Sequence, residues 1–385
     1  MRQMKKIKIG NRFVGDGEPC FIIAEAGVNH NGDIELAKKL VEEAKKSGAD
    51  AVKFQTWITE EILTKDIEKP AYQKETTSRE ESQYDMFKQI ELSFEQTKEI
   101  AEHAKKLGII FLSTPEGKKC IDLLYKLGVP AFKIGSPDMN VLHDLKYLAT
   151  KKRPIILSTG MATIDEVRES VEAIKENGND EIILLHCTSN YPTELKDVNL
   201  RAMITLKKAF GLPTGYSDHT QGTGVSIAAA ALGAVVIEKH FTIDKTLPGP
   251  DHEASLEPKE LKEMVKGIRL VEMNAIDEDK LDKKLKEVSN KIHISQAVLK
   301  NVDKILGSPA KAPTESEKEM IKLMRKYIVA NKAIKKGEQI KEDMLTVKRC
   351  GGGMPSKFLP KMIGMVAKQN ILIDEPITFD KLSVI

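Results

Sequence analysis

Two histidines, His219 and His240, end neighbouring apolar runs within one stretch, PTGYSDHTQGTGVSIAAAALGAVVIEKHFTIDKTLPGPDH (213–252). PTGYSDH closes on Ser217, Asp218 and His219. AVVIEKHF closes on Glu238, Lys239 and His240, and PGPDH adds Asp251 and His252. The Gly/Ala-rich run between them reads as a tightly packed crossover helix. One α/β unit thus delivers two imidazoles with carboxylates and an ammonium around them. Buried charge without a partner is costly, so a purely structural pair of strands has little use for such a cluster. With solvent, His219 and His240 would form a divalent-cation site of nitrogen and water ligands, and two histidines alone do not select the metal. The plain alternative is a pair of hydrogen-bonded structural histidines.

Earlier apolar runs carry matching chemistry. Lys53 in AVKFQTW and Lys133 in AFKIGSPD suit a phosphate or a carboxylate, and Thr114, Ser136, Ser158 and Ser217 add hydroxyl donors. The same lysines would also suit a Schiff-base aldolase. Glu25 and Asp251 remain for hydroxyl or sugar recognition, or for acid/base work. Tyr191 and Tyr216 either line such a site or pack beneath it.

The elements that must position these groups repeat with one rhythm. FIIAEAG, DAVKFQTW, IIFLSTP, AFKIGSPD, PIILSTGM, EIILLHCTSNYP, PTGYSDH and AVVIEKHF read as strands, each followed by a helical stretch. Near-continuous apolar strands belong to a sheet covered on both faces. Eight such units in about 250 residues predict a closed (β/α)8 TIM barrel, in which all strand ends meet on one catalytic face. Every strand ends in a polar or charged group, which fits that convergence. No GxGxxG follows the first strand, so a dinucleotide fold is disfavoured. The long polar stretch Ile58–Glu91 is expected to be a functional lid or insertion.

The reading predicts three regions: a catalytic barrel over 1–275, a charged helical linker over 276–325, and a small β-rich module over 326–385. SPAKAPTESEKE within the linker reads as a hinge. The module's GGG run (351–353) follows Arg349 and presents it on a loop. The chain has 385 residues, and 60 basic against 57 acidic residues leave a net charge of +3. That balance gives no reason to expect nucleic acid or a membrane as partner. Four scattered cysteines and the absence of an apolar leader point to reduced thiols in a cytoplasmic protein.

The ordered motifs IAEAGVNHNGD, AVKFQTW, FLSTP, FKIGSPD, ILSTGMAT, LLHCTSNYP, GYSDHT, EKHFT and PGPDHEAS resemble the sialic acid synthase (N-acetylneuraminate synthase) family, which includes legionaminate and pseudaminate synthases. The module around TVKRCGGG is similar to that family's antifreeze-like SAF domain, a β-clip. The resemblance implies a metal-dependent condensation of phosphoenolpyruvate with an N-acylated hexosamine, releasing phosphate. N-acetylmannosamine is the first expectation for the acceptor, and a 2,4-diacetamido-trideoxyhexose is the alternative. It implies that His219 and His240 hold Mn2+ or Mg2+. Lys53, Thr114, Lys133, Ser136, Ser158, Ser189 or its neighbour Asn190, and Ser217 would hold phosphoenolpyruvate. Glu25, Gln55, Tyr191 and Asp251 would meet the sugar or metal-bound water. Glu25, Asp138 and Asp251 become the candidate acid/base groups. Arg349 would reach over a partner's barrel mouth in a domain-swapped homodimer. Two departures stand out. Asp138 replaces a glutamate common among relatives, and Cys350 follows Arg349 where proline is usual.

Overall fold

The computed structural model describes residues 5–78, 80–272 and 275–384. Eight parallel strands form the central sheet: β1 (Phe21–Gly27), β2 (Ala51–Thr56), β3 (Ile110–Pro115), β4 (Phe132–Ile134), β5 (Ile155–Ser158), β6 (Ile182–Cys187), β7 (Thr214–Asp218) and β8 (Val236–His240). Their spatial order is β3-β2-β1-β8-β7-β6-β5-β4. The edges β3 and β4 pack against each other and close the barrel without a hydrogen-bonded ladder. The chain is therefore a TIM-type barrel, as the strand rhythm predicted.

The strands are apolar because both faces are covered. One side packs on the helices and the other fills the barrel interior. The N-terminal hairpin (Ile7–Ile9 with Arg12–Val14) sets Ile7, Ile9 and Val14 against Phe21, Ala131 and Val236, and so plugs the bottom of the barrel.

The helices start and stop on local signals. In α1 (Ile34–Lys46), Asp33 accepts from the Glu35 and Leu36 amides. In α2 (Phe94–Leu107), Ser93 and Gln96 form a capping box, and Gly108 ends the helix at φ +67°. The ring continues with α3 (Lys118–Leu127), α4 (Leu142–Ala149), α5 (Ile164–Glu176), α6 (Leu200–Phe210), α7 (Gly224–Ala231) and α8 (Pro258–Val271). Every residue of α7 is buried. Its outer side is covered by the charged helical segment after α8, where Ile294 and Val298 approach Gly224 closely. A helix buried all round needs such a second layer.

The C-terminal module contains two short antiparallel pairs, β9 (Tyr327–Ala330) with β10 (Leu345–Lys348), and β11 (Val366–Ala367) with β12 (Leu382–Ser383). Its small core includes Val141 from the barrel. The insertion after β2 folds as three short helices, and Trp57, Ile62, Leu63 and Phe87 bury themselves there with Leu323. No helix among the described residues is long and apolar enough to cross a membrane.

Candidate active site

The C-terminal ends of the strands surround a cavity of about 760 Å3, counted out to its open rim. Its floor is a network of buried charge. Lys53 Nζ on β2 lies 2.7 Å from Glu25 Oε1 on β1 and donates to Thr114 Oγ1 on β3 at 3.1 Å. Lys133 on β4 donates to Ser158 Oγ on β5 at 2.8 Å and lies 3.3 Å from Glu238 on β8. Glu238 also faces Lys53 at 3.9 Å and accepts from Ser217 Oγ on β7 at 2.9 Å. Gln55 Nε2 donates to Glu25 Oε1 at 3.1 Å. Two ammoniums thus face two carboxylates with almost no water contact.

Burial and the neighbouring charges set these groups' protonation. Burial pushes the Glu25 carboxyl up, against the pull of Lys53. Burial alone would raise Glu238, but Lys133 and Lys53 hold it below the usual carboxylate range. Burial lowers the Lys133 pKa, and Lys53 adds to the effect. Even so, Lys133 Nζ has three acceptors in place: Ser158 Oγ, the Ile134 carbonyl and Glu238. That setting suits an ammonium counter-ion and not the free amine that imine chemistry needs.

His219 follows β7 and His240 ends β8, and their ring centroids are 5.3 Å apart. His219 Nδ1 is 2.8 Å from the Thr188 carbonyl oxygen. A carbonyl only accepts, so Nδ1 carries the proton, and in the neutral ring the Nε2 lone pair is free. His240 Nδ1 is buried without a hydrogen-bond partner and lies 3.6 Å from Asp251 Oδ2. Burial, His219 and the nearby lysines hold the His240 pKa well below its usual value, so the ring is neutral. Burial and the Glu25 charge push the Asp251 carboxyl up to about 7. The Tyr191 ring packs on both imidazoles. Burial disfavours the charged His219 ring, but Cys187, the Thr188 carbonyl and Glu238 together raise its pKa above the ordinary value. The two imidazoles, with Asp251 beside them, offer nitrogen donors that a divalent cation could use by displacing the His219 proton.

Not every charge of that stretch joins the site. Lys239 and Asp218 pair at 3.0 Å, fully buried, and Ser226 of α7 donates to Asp218 at 2.6 Å. Strand alternation turns these two toward the helix layer and leaves Glu238, Ser217 and His240 facing the mouth. Tyr216 is likewise buried in the helix-side core.

The rim is built partly by the C-terminal module. Asp138, in the short turn Ser136–Asp138 after β4, lies 2.6 Å from Lys326 Nζ. Lys326 also meets Glu116 at 3.0 Å, and Arg349 spans both Glu116 oxygens at 3.1 and 3.2 Å. Burial pushes the Asp138 carboxyl up to about 6; Glu116 adds to this while Lys326 and Arg349 oppose it. Burial would raise Glu116 too, but Arg349 and Lys326 bring it below its ordinary value. Arg349 lines the cavity, and its Nε and other amino group have no hydrogen-bond partner among the described residues. Its backbone pairs with the insertion: its amide donates to the Ile62 carbonyl, and its carbonyl accepts from the Thr64 amide. Within the single chain Arg349 sits over its own barrel's mouth. The glycine-rich loop is tied by Cys350 Sγ, which donates to the Gly352 carbonyl at 3.2 Å.

Ser136 lines the cavity, whereas Ser189 and Asn190 do not. Ser189 is buried behind Gly160, where any Cβ would collide with the Ser189 and Ser136 hydroxyls. Ser136 Oγ accepts from the Gly160 amide at 3.0 Å. Behind them Glu317 Oε1, from the segment between barrel and module, accepts from the Met161 and Ser189 amides, both at 2.7 Å. Sequence reasoning gave no role to Glu116, Glu317 or Lys326, and it noted Glu238 only as a polar strand end. For Glu116 the available signal was a charge placed directly after the FLSTP strand end.

A barrel whose mouth sets buried lysines and hydroxyls opposite a pair of free imidazoles defines an anion-handling enzyme of the TIM class. The sequence profile of the NeuB family matches residues 40–280, and that of the SAF domain matches 325–383. The chain belongs to the NeuB family of nonulosonic acid synthases. It is 44% identical to the N,N'-diacetyllegionaminic acid synthase of Campylobacter jejuni, over 92% of this chain and 97% of that one. The human N-acetylneuraminate-9-phosphate synthase is 36% identical, with 94% and 91% covered. The crystal structure of the spore coat polysaccharide biosynthesis protein SpsE from Bacillus subtilis superposes with a TM-score of 0.79 at 35% identity, covering 99% of this chain and 100% of that one.

Proposed function

We propose that the cavity condenses phosphoenolpyruvate with an N-acylated hexosamine to give a nonulosonic acid and phosphate. The observation that carries this reading is one cavity with two buried lysines and converging hydroxyls on one side and two adjacent imidazoles on the other. Lys53, Lys133, Thr114, Ser136, Ser158 and Ser217 hold the phosphate and carboxylate of phosphoenolpyruvate. Gln55, Tyr191, Asp251 and Arg349 hold the acceptor. C3 of phosphoenolpyruvate bonds to the acceptor's aldehyde carbon while the C=O π pair moves to the oxygen, which takes a proton to become the new hydroxyl. Charge at C2 is met by a water whose proton passes to a carboxylate, and the tetrahedral adduct expels phosphate by C–O cleavage. Asp138, ionised above about pH 6, is the carboxylate assigned to that proton, with Glu25 and Asp251 beside the acceptor.

The donor set fits a divalent cation, Mn2+ or Mg2+, held by His219 and His240, which when bound would polarise the acceptor's aldehyde oxygen. Charge balance supports it. Lys53 and Lys133 are offset by Glu25 and Glu238, and Lys326 and Arg349 by Asp138 and Glu116. A multiply charged anion entering this neutral pocket needs added positive charge.

The acceptor wall alters the first expectation for the sugar. Val28, Phe87, Ile90 and Met324 give it an apolar lining near Arg349. That lining favours a doubly N-acylated 6-deoxy sugar over the more hydroxylated N-acetylmannosamine. The relative that makes diacetyllegionaminic acid is also more similar than the human 9-phosphate synthase. In a phosphate-release assay, 2,4-diacetamido-2,4,6-trideoxymannose is expected to exceed N-acetylmannosamine about tenfold or more in kcat/KM, the usual reach of an apolar pocket. Preference for N-acetylmannosamine would reverse the assignment. An enzyme of this kind works in the cytoplasm, consistent with four free thiols. A homodimer with exchanged modules would use the same rim contacts between chains.

The phosphate side also depends on Glu317. Leaving two buried amides without an acceptor costs about 1–3 kcal/mol, so Glu317→Ala is expected to raise the KM for phosphoenolpyruvate about tenfold at little-changed kcat. Glu317→Gln keeps an acceptor for the Met161 and Ser189 amides but turns its NH2 toward the Thr314 amide, so its KM should fall between wild type and the alanine variant. An unchanged KM in the alanine variant would show that the clasp does not shape the anion pocket.

A further inference from the structure

The turn that carries Asp138 is shared between barrel and C-terminal module. Its carboxylate faces Lys326 at 2.6 Å. Two residues on, the Asn140 carbonyl accepts from Ser356 Oγ of the module at 2.6 Å. One residue further, the Val141 side chain lies in the module's apolar core. Three independent contacts thus tie residues 138–141 to the module, and one of them is a charge placed on a group of the cavity wall. Lys326 is only 2% exposed, and its other partner, Glu116, is equally buried and held by Arg349. An ammonium so enclosed has no solvent to replace a lost carboxylate partner.

The geometry points to Lys326 as a positioning residue for the reaction: its ammonium holds the Asp138 carboxylate at the cavity wall, so that docking of the C-terminal module assembles the proton-accepting group. The inference rests on Asp138 being that group. The charged groups facing Asp138 are Glu116 after β3 and Lys326 and Arg349 from the module. Lys326 and Arg349 favour the carboxylate, and Glu116 disfavours it. Detachment of the module would remove both cations at once and leave Asp138 with Glu116 alone. The base is therefore ready only when the rim is closed over it, and the water it activates is then the one enclosed with the substrates.

The test is the pH dependence of kcat in the full-length protein, followed by phosphate release from phosphoenolpyruvate with whichever of the two sugars above turns over. A base loses activity as pH falls through its pKa, so wild type should show an acidic limb near pH 6. Lys326→Met stabilises the protonated acid and should move the limb up by about one pH unit, a tenfold change in the ionisation constant. The KM for phosphoenolpyruvate should not follow. Lys326→Arg should return the limb toward wild type. Glu116→Gln removes the opposing carboxylate and should move the limb down, so the proposal remains decidable if Lys326→Met does not fold. A limb that stays put in Lys326→Met with unchanged melting temperature, or in Glu116→Gln, overturns it. Asp138→Asn separates the two readings. If the acidic limb survives in Asp138→Asn, Asp138 is not the base, and the fault lies there and not with Lys326.

Discussion

Lys133→Met is expected to lower kcat by about 10²–10³-fold, the usual cost of deleting one charged group aimed at developing charge in a water-excluded site. The residue is 2% exposed and holds Ser158, the Ile134 carbonyl and Glu238 at once. In the proposed reaction negative charge gathers on the departing phosphate oxygens, and Lys133 would be one of the two lysines placed to meet it. The substitution also leaves Glu238 with the Ser217 hydroxyl and, as its lysine partner, Lys53 at 3.9 Å. Breaking one side of a buried pair costs about 3–5 kcal/mol, so the melting temperature should fall as well. The double variant Lys133→Met/Glu238→Gln separates the two effects, because neutralising the stranded carboxylate should recover most of the stability and none of the turnover. Recovery of turnover in the double variant would mean that Lys133 matters only as a partner for Glu238. Phosphate release and thermal melts measure both.

Loss of either imidazole is the second large effect. His219→Ala and His240→Ala are each expected to weaken Mn2+ binding by more than about 100-fold, beyond the 10–100-fold usual for loss of a mere supporting contact. Titration calorimetry with Mn2+ alone reads this without reference to turnover. Chelation by EDTA should abolish phosphate release, and Mn2+ or Mg2+ should restore it. The two positions need not respond alike. His219 is oriented by the Thr188 carbonyl, whereas His240 has no such anchor and stands beside Asp251. Full activity in EDTA-treated protein, or Mn2+ affinity indifferent to both substitutions, would remove the cation from the site.

The barrel was legible because strand period and strand-end chemistry are local properties. Lys53, Lys133, Ser158, Ser217 and His240 each sit where an apolar run meets the mouth, and their convergence follows from closing the sheet. The lysine-rimmed carboxylates were less legible. Glu238 and Lys239 are adjacent in sequence, yet only Glu238 faces the cavity, and that depends on the strand's register against β7. The rim was hidden for a different reason. Glu116 meets Lys326 and Arg349 from more than 200 residues away, and Glu317 sits in a charged run that reads like any solvated linker. Nothing in local sequence distinguishes a buried clasp from an exposed acid. Ser189 and Asn190 shifted for a similar reason: Gly160 brings the neighbouring turn so close that Ser189 becomes its support and not part of the wall.

The hairpin plug at the base of the barrel fixes the traffic. With Ile7, Ile9 and Val14 filling that end, the described residues leave the cavity open at the mouth between insertion and module. The lysines stand on the strands, and Arg349 stands on the rim above them. A sugar seated under Arg349 would therefore block the way down for the enol phosphate. On the proposed placement, such a dead-end shaft would make catalysis a queue: the small anion would have to go in first, the sugar would follow, and the product would have to clear the entrance before the next cycle.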